Sequence, residues 1–299
     1  MQTHRVGNAL AAFSFMLWGL LPLYYQFLPQ ANINDLLALR IIFSVPFMFA
    51  VMVILRRPMP SFSTVWQDKR SLIMTALAGL IMCVSWYAFT WAMTHDQVLA
   101  ASLGFFINPL FAIALGVLFL KEKLSAAQKA AVVLAAMGIA YQVWSYGELP
   151  WISLIMGSFF ALYGLCKKFI KYDALTSVTL EAALLAPFAL IYVLMTGFAG
   201  TSTALGADTS TLLLYIGSAP ITLAPLIFFA LAISRTSLTM VGLMQYIEPT
   251  LQFILAIFLF GEVFDDVKAI SFGFIWLGLI LCSLEAISNM FHRRRIRPV

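Results

Sequence analysis

Apolar runs of roughly twenty residues follow one another along the chain, separated by short breaks that hold charges and turn residues. A helix that crosses a bilayer needs about 20 mostly apolar residues. The breaks predict helices over 6–27, 35–55, 72–93, 98–120, 127–145, 150–168, 176–196, 211–232, 238–260 and 267–288. Most connections are short and leave no room for a soluble domain. The longest outer connection, Gly197 to Ser210, is rich in Gly, Ser, Thr and Ala and has no basic residue. The run at 6–27 follows His4 and Arg5 but exceeds the 7–15 residues of a signal-peptide core, and no small-x-small site closes it. It reads as a retained first span.

The basic residues test this count. With the N-terminus inside, sixteen of the eighteen Lys and Arg residues fall on the inner side, only Lys268 falls outside, and Arg40 lies within a span. A missed or invented helix would flip every later loop and mix the two sets. Ten spans with both ends in the cytoplasm satisfy the positive-inside rule.

Composition agrees with the pattern. Hydrophobic residues make up 62% of the 299 and charged residues 10%, against about 25% charged in soluble domains. A soluble core of this length could not hide so much apolar surface. The net charge of +5 sits in short loops and in the tail 291–299, so it reads as a topology signal, with anionic lipid as its natural contact, and not as a nucleic-acid surface. Cys83, Cys166 and Cys282 lie inside apolar runs, as free packing residues do, and form no disulfide framework.

The halves resemble one another at a shift near 140 residues. Asn108-Pro109 aligns with Glu248-Pro249, Glu122 with Glu262, and Gly138 with Gly278. Pro46-Phe47 aligns with Pro187-Phe188 and Leu39-Arg40 with Leu180-Glu181, one residue further on; Trp18-Gly19-Leu20 matches Tyr163-Gly164-Leu165 at 145. Each half holds an odd number of spans, so two such units in tandem enter the membrane from opposite faces. The expected fold is all-α integral membrane, ten transmembrane helices as two inverted five-helix repeats, 1–148 and 149–290, followed by a basic cytoplasmic tail. Secondary transporters recurrently use this plan, with substrate at the midplane between repeats.

Ionisable residues inside a bilayer cost at least about 2.5–3.5 kcal/mol on insertion scales, so each needs a reason. Glu248 precedes Pro249 near the middle of 238–260, and Asn108 precedes Pro109 at the matching point of 98–120. These two polar-Pro pairs are the best substrate-site candidates, with Pro109, Pro249, Pro46 and Pro187 as kinks or hinges. The plainer reading makes Glu248 a neutral, hydrogen-bonded acid facing the bundle. Proton coupling through Glu248 is a further expectation.

Arg40 and Glu181 match in the repeat, yet each lies about five residues into its span, roughly 7–8 Å deep. They enter from opposite faces of a layer about 30 Å thick, so roughly 15 Å separates their backbones along the normal. Snorkelling is one reading; an outer-gate Arg40 and inner-gate Glu181 that engage substrate is the other. Among the aromatics, Tyr163, Trp18 and Tyr246, with Gln245 beside it, lead as cavity lining because they belong to repeat-matched segments; Trp86, Tyr87, Trp91, Phe105 and Phe106 follow. His95 and Asp96 read as a solvated pair at an outer turn. Glu122 and Glu262 read as structural acids at equivalent helix ends.

The chain resembles the RarD-type branch of the EamA family in the drug/metabolite transporter superfamily. The resemblance rests on Phe15 to Pro22, Leu39 to Ile42, Ala101 to Leu110, Ser158 to Lys168, Gln245 to Pro249 and Gly261-Glu262. Phe105 and Glu248 depart from the family pattern. The resemblance implies a ten-helix carrier of the bacterial inner membrane, exporting amino acids, metabolites or drug-like compounds.

No metal-binding HExxH, nucleophile elbow, phosphate loop or His/Cys cluster is present, so an enzyme, a metal or other cofactor and an ATP-driven pump lack their residues. A facilitative channel and a non-transporting sensor or assembly protein remain as alternatives to a carrier.

Overall fold

The computed structural model describes residues 2–28, 31–57, 62–121, 124–233, 235 and 244–296. Among these every regular element is helical. They are α1 Gln2–Gly19, α2 Leu21–Tyr25, α3 Ile33–Ile54, α4 Phe62–Gln67, α5 Lys69–Thr94, α6 Val98–Leu120, α7 Ala126–Tyr146, α8 Trp151–Lys167, α9 Ala174–Phe198, α10 Thr209–Ile233, α11 Ile247–Ile254 and α12 Asp266–Ile296. Among the described residues eight helical stretches are long and apolar enough to cross a membrane, and Trp151–Lys167 and Ile247–Leu259 are shorter apolar helices.

Polar residues placed just ahead of the apolar runs start these helices. Asn32 accepts from the Asn34 and Asp35 N–H groups, Asp68 from Ser71, and Asp173 from Leu175 and Thr176. Ser125 and Gln128 close a reciprocal capping box on α7. Each side chain satisfies backbone donors that a helix N-terminus leaves unpaired. The first predicted span is broken at Leu20, where a turn precedes α2 and Pro22 sits in its first turn.

The span expected over 238–260 differs most. Residues 236–243 and Glu122 lie outside the described residues. From Met244 onward the chain turns at Gln245-Tyr246 and re-enters helix at Ile247. Glu248 and Pro249 therefore occupy the first turn of α11, not a mid-helix position. Proline has no N–H to give to residue 245 and tolerates a first turn well, which explains a break there. The helix ends in a π turn at Leu255–Leu259, a feature common beside functional sites.

Helix packing follows a regular scheme. α8 packs on α5 and α6, while α1 packs on α10 and α11. α9 contacts α3 and α5, and α3 contacts α9 and α10. α6 meets α11, and α7 meets α12. Small residues allow the closest approaches. A Cβ on Gly138 would lie 2.7 Å from the Ser271 carbonyl oxygen, and one on Gly278 would lie 3.0 Å from the Ala131 Cα. Ser271 Oγ also donates to the Gly138 carbonyl at 2.8 Å.

Candidate functional site

The polar residues expected within the bundle form two groups. The first centres on α11, which contacts both α6 and α1. Glu248 and Gln252 are buried and one turn apart, Gln252 Nε2 donating weakly to Glu248 Oε1 at 3.5 Å. Ser102 of α6 donates to the Pro249 carbonyl at 2.8 Å, which ties α6 to the break ahead of α11. Asn108 is buried one and a half turns further along α6, against Gly157 of α8. The Asn108 Oδ1 and Gln252 Oε1 atoms are buried and have no hydrogen-bond partner among the described residues. Buried polar atoms of this kind are rare and call for an explanation, such as a water or a ligand. Trp18 is positioned by its indole N–H, which donates to the Thr222 carbonyl at 3.0 Å. Tyr246 and Gln245 are half-buried at the turn ahead of α11, and Tyr246 packs against the main core.

The second group spans α3, α5, α8 and α9. Arg40 is 5% exposed, so it does not snorkel. Its Nη2 donates to the Tyr25 hydroxyl, and its guanidinium carbon lies 4.6 Å from the centroid of the Trp86 ring. Glu181 is equally buried and holds a different cation: Lys167 Nζ donates to its Oε1. Ser177 Oγ donates to the same oxygen at 3.0 Å, and the Tyr163 hydroxyl to Oε2 at 3.2 Å. Arg40 and Glu181 thus form no ion pair with each other, as their depths predict. Lys167, one of the sixteen inner-side basic residues, ends α8, and its Nζ lies 5.1 Å from the ring centroid of Tyr163, one turn back.

Rings connect the two buried charges. From Trp86 the centroid distances run 6.2 Å to Phe89, 5.9 Å to Phe105, 6.0 Å to Phe160 and 6.1 Å to Tyr163. Trp86, Phe105, Phe160 and Tyr163 are each only half-buried. Phe106 belongs elsewhere, in a packed set with Phe272 and Trp276, and Tyr87 is exposed. Trp91 stacks on His95, whose Nδ1 lies 2.9 Å from the Trp91 carbonyl oxygen, in place of the expected His95–Asp96 pair.

One end of the bundle is closed by carboxylates. Glu262 accepts from the Val98 and Leu99 N–H groups at 2.6 and 3.0 Å, and so caps α6 from the far half of the chain. This bears out its structural reading. Burial raises its carboxyl above the usual range, an effect the two N–H groups oppose. The Tyr146 hydroxyl donates to Asp265 at 2.5 Å and, with the Lys268 N–H, holds that carboxyl below the usual range. Asp35, which pattern reading passed over, is 2% exposed and accepts from Tyr192, Ser202, Thr203 and the Ala204 N–H at 3.0–3.1 Å. Its position in the first turn of α3 looked like an ordinary helix start. Nothing local marks the partners, which lie more than 150 residues away.

Pro46, Pro109 and Pro187 lie inside α3, α6 and α9, as kinks require. Among the described residues no group of three His, Cys, Asp or Glu side chains is arranged to hold a metal.

Residues 5–144 match the model of the EamA-like transporter family. Over 289 residues, 95% of each chain, the sequence is 38% identical to an uncharacterized transporter, YojE, of Bacillus subtilis (strain 168). The chain belongs to the EamA family, in its RarD-type branch. Protein RarD of Escherichia coli (strain K12) is 36% identical over 283 residues, again 95% of each chain. A crystal structure of a protein 16% identical in sequence superposes with a TM-score of 0.61 over 94% of this chain and 98% of its own, which supports the fold. The chain is accordingly a multi-pass membrane transporter protein.

Proposed function

We propose that this protein is a secondary carrier that moves a small organic molecule across the bacterial inner membrane by alternating access. In this reading ten spans form two inverted repeats, 1–148 and 149–290, with both ends and the basic tail 291–299 in the cytoplasm. Export is the direction the resemblance implies.

The observation that carries the reading is the crossing of α7 with α12. Gly138 meets Ser271 and Gly278 meets Ala131, and adding 140 to Ala131 and Gly138 gives Ser271 and Gly278. The two contacts exchange when the halves exchange. The larger packing scheme behaves likewise: α8 on α5 and α6 has its counterpart in α1 on α10 and α11. Halves related in this way supply two conformations of similar energy, open to opposite sides, with the substrate site between them.

The site is assigned to Glu248, Asn108, Gln245, Tyr246, Trp18, Tyr163, Arg40 and Glu181, with Pro109, Pro249, Pro46 and Pro187 as hinges. The unpartnered oxygens of Asn108 and Gln252 support a polar ligand near the first of these groups. Protons are proposed as the coupling ion through Glu248. A thermal-shift screen of the purified protein against amino acids, metabolites and drugs, followed by counterflow in proteoliposomes, tests the carrier assignment. Saturable flux with counterflow supports it. Conductance without saturation supports a channel, and ligand-induced stabilisation without flux supports a sensor.

A further inference from the structure

The second polar group holds a cation that has no counter-ion among the described residues. Arg40 is buried in α3, and among the described residues no carboxylate pairs with it. Tyr25 takes one N–H, from Nη2, while Nε and Nη1 are buried with no hydrogen-bond partner among the described residues. Trp86 stacks on the guanidinium, 4.6 Å from its carbon. A stacked ring satisfies the face of the cation and leaves the N–H groups in its plane needing acceptors. Leaving such donors unmade in an apolar setting is costly, and guanidinium is the side chain best suited to a planar, two-oxygen acceptor.

We propose that Arg40 is the anion subsite of the transport path, and that the transported molecule is a monocarboxylate with an aromatic or otherwise flat apolar body. This deepens the carrier reading and rests on it. The charge balance decides the class. The other cation of the group, the half-buried Lys167, is already matched by Glu181, so among the described residues one buried positive charge is left to compensate. A monoanion cancels it, whereas a dianion such as a phosphate monoester carries surplus charge among apolar rings. The half-buried rings Phe105, Phe160 and Tyr163 extend from Trp86 through Phe89. They offer flat surface to the body of the molecule once its carboxylate is seated. Tyr25 holds the guanidinium through Nη2, as a positioning residue.

The test compares phenylacetate with phenylacetamide, which share a body and differ in charge, and adds inorganic phosphate. Thermal shift and tryptophan-fluorescence titration are run on the full protein in detergent. Phenylacetate should stabilise the wild type and the other two should not. Arg40→Gln should weaken the phenylacetate response by about tenfold to a hundredfold. Arg40→Lys keeps the charge but loses the planar fork, and should recover only part of the response. Trp86→Leu leaves Arg40 intact and should weaken the phenylacetate response severalfold while phenylacetamide stays without effect; an undiminished response would overturn the assignment even if no Arg40 variant folds. Equal responses to the acid and the amide, no response to the acid, or undiminished binding in Arg40→Gln would each overturn the assignment. Counterflow separates this failure from that of the carrier reading. If neutral or cationic solutes exchange and carboxylates do not, the carrier stands and the anion subsite falls; if no solute exchanges, the carrier reading falls as well.

Discussion

Lys167 and Glu181 close on each other inside the bundle, the lysine side chain 23% exposed and the glutamate 9%. Both charges have lost most of their contact with water, so their attraction offsets a desolvation cost and does not add simply to stability. Removing one partner strands the other. Lys167→Met should destabilise the protein by about 3 kcal/mol, near the low end for buried pairs because the lysine keeps some solvent. The double variant Lys167→Met/Glu181→Gln should recover much of that loss. Thermal unfolding in one detergent checks both. A double variant as unstable as the sum of the single ones would show that the pair is not a unit.

Gly138 and Gly278 should respond alike to enlargement, because each holds two helices at backbone contact. Gly138→Ala and Gly278→Ala should each cost about 1–3 kcal/mol through overpacking. At Gly273, on the same helix as Gly278, an added Cβ meets nothing within 4 Å, so Gly273→Ala should be neutral or slightly stabilising. Denaturation midpoints distinguish these outcomes.

Glu248→Gln should slow transport and flatten its dependence on pH, if the carboxyl carries the coupling proton. Flux in liposomes, measured across pH for both proteins, reads this out. An unchanged rate and an unchanged profile would remove Glu248 from the mechanism.

Glu262 gives a pH dependence of stability whose sign follows from burial. Its carboxyl is raised above the ordinary 4.5, so the unfolded chain releases this proton first as pH rises. The stabilising contribution is complete below about pH 4.5 and is lost as pH rises through the raised value of the folded state. Glu262→Gln keeps an acceptor oxygen for only one of the Val98 and Leu99 N–H groups, a loss that does not vary with pH, and has no proton to lose. Its melting temperature relative to wild type should therefore climb across that window and then level off. A constant difference would show that the carboxyl titrates as it does in the unfolded chain.

How much of this was legible in the sequence depends on how local the cause was. The helices at 98–120 and 150–168 appear as Val98–Leu120 and Trp151–Lys167, because apolar length and capping residues are written in adjacent positions. The separation of Arg40 from Glu181 was readable from depth alone. The partners were not. Lys167 at the end of α8 meets Glu181 of α9, and Asp35 at the start of α3 meets the 202–204 segment, contacts that no neighbouring position encodes. The break at Gln245-Tyr246 was signalled by Pro249, yet a proline allows either a kink or a fresh helix start, and only the backbone shows which.

Carrier function is the central property proposed for this protein, and counterflow tests it directly. Proteoliposomes loaded with an unlabelled compound that stabilises the protein should take up the labelled form transiently above equilibrium, with a rate that saturates. Uptake that rises linearly with concentration and shows no overshoot would contradict it.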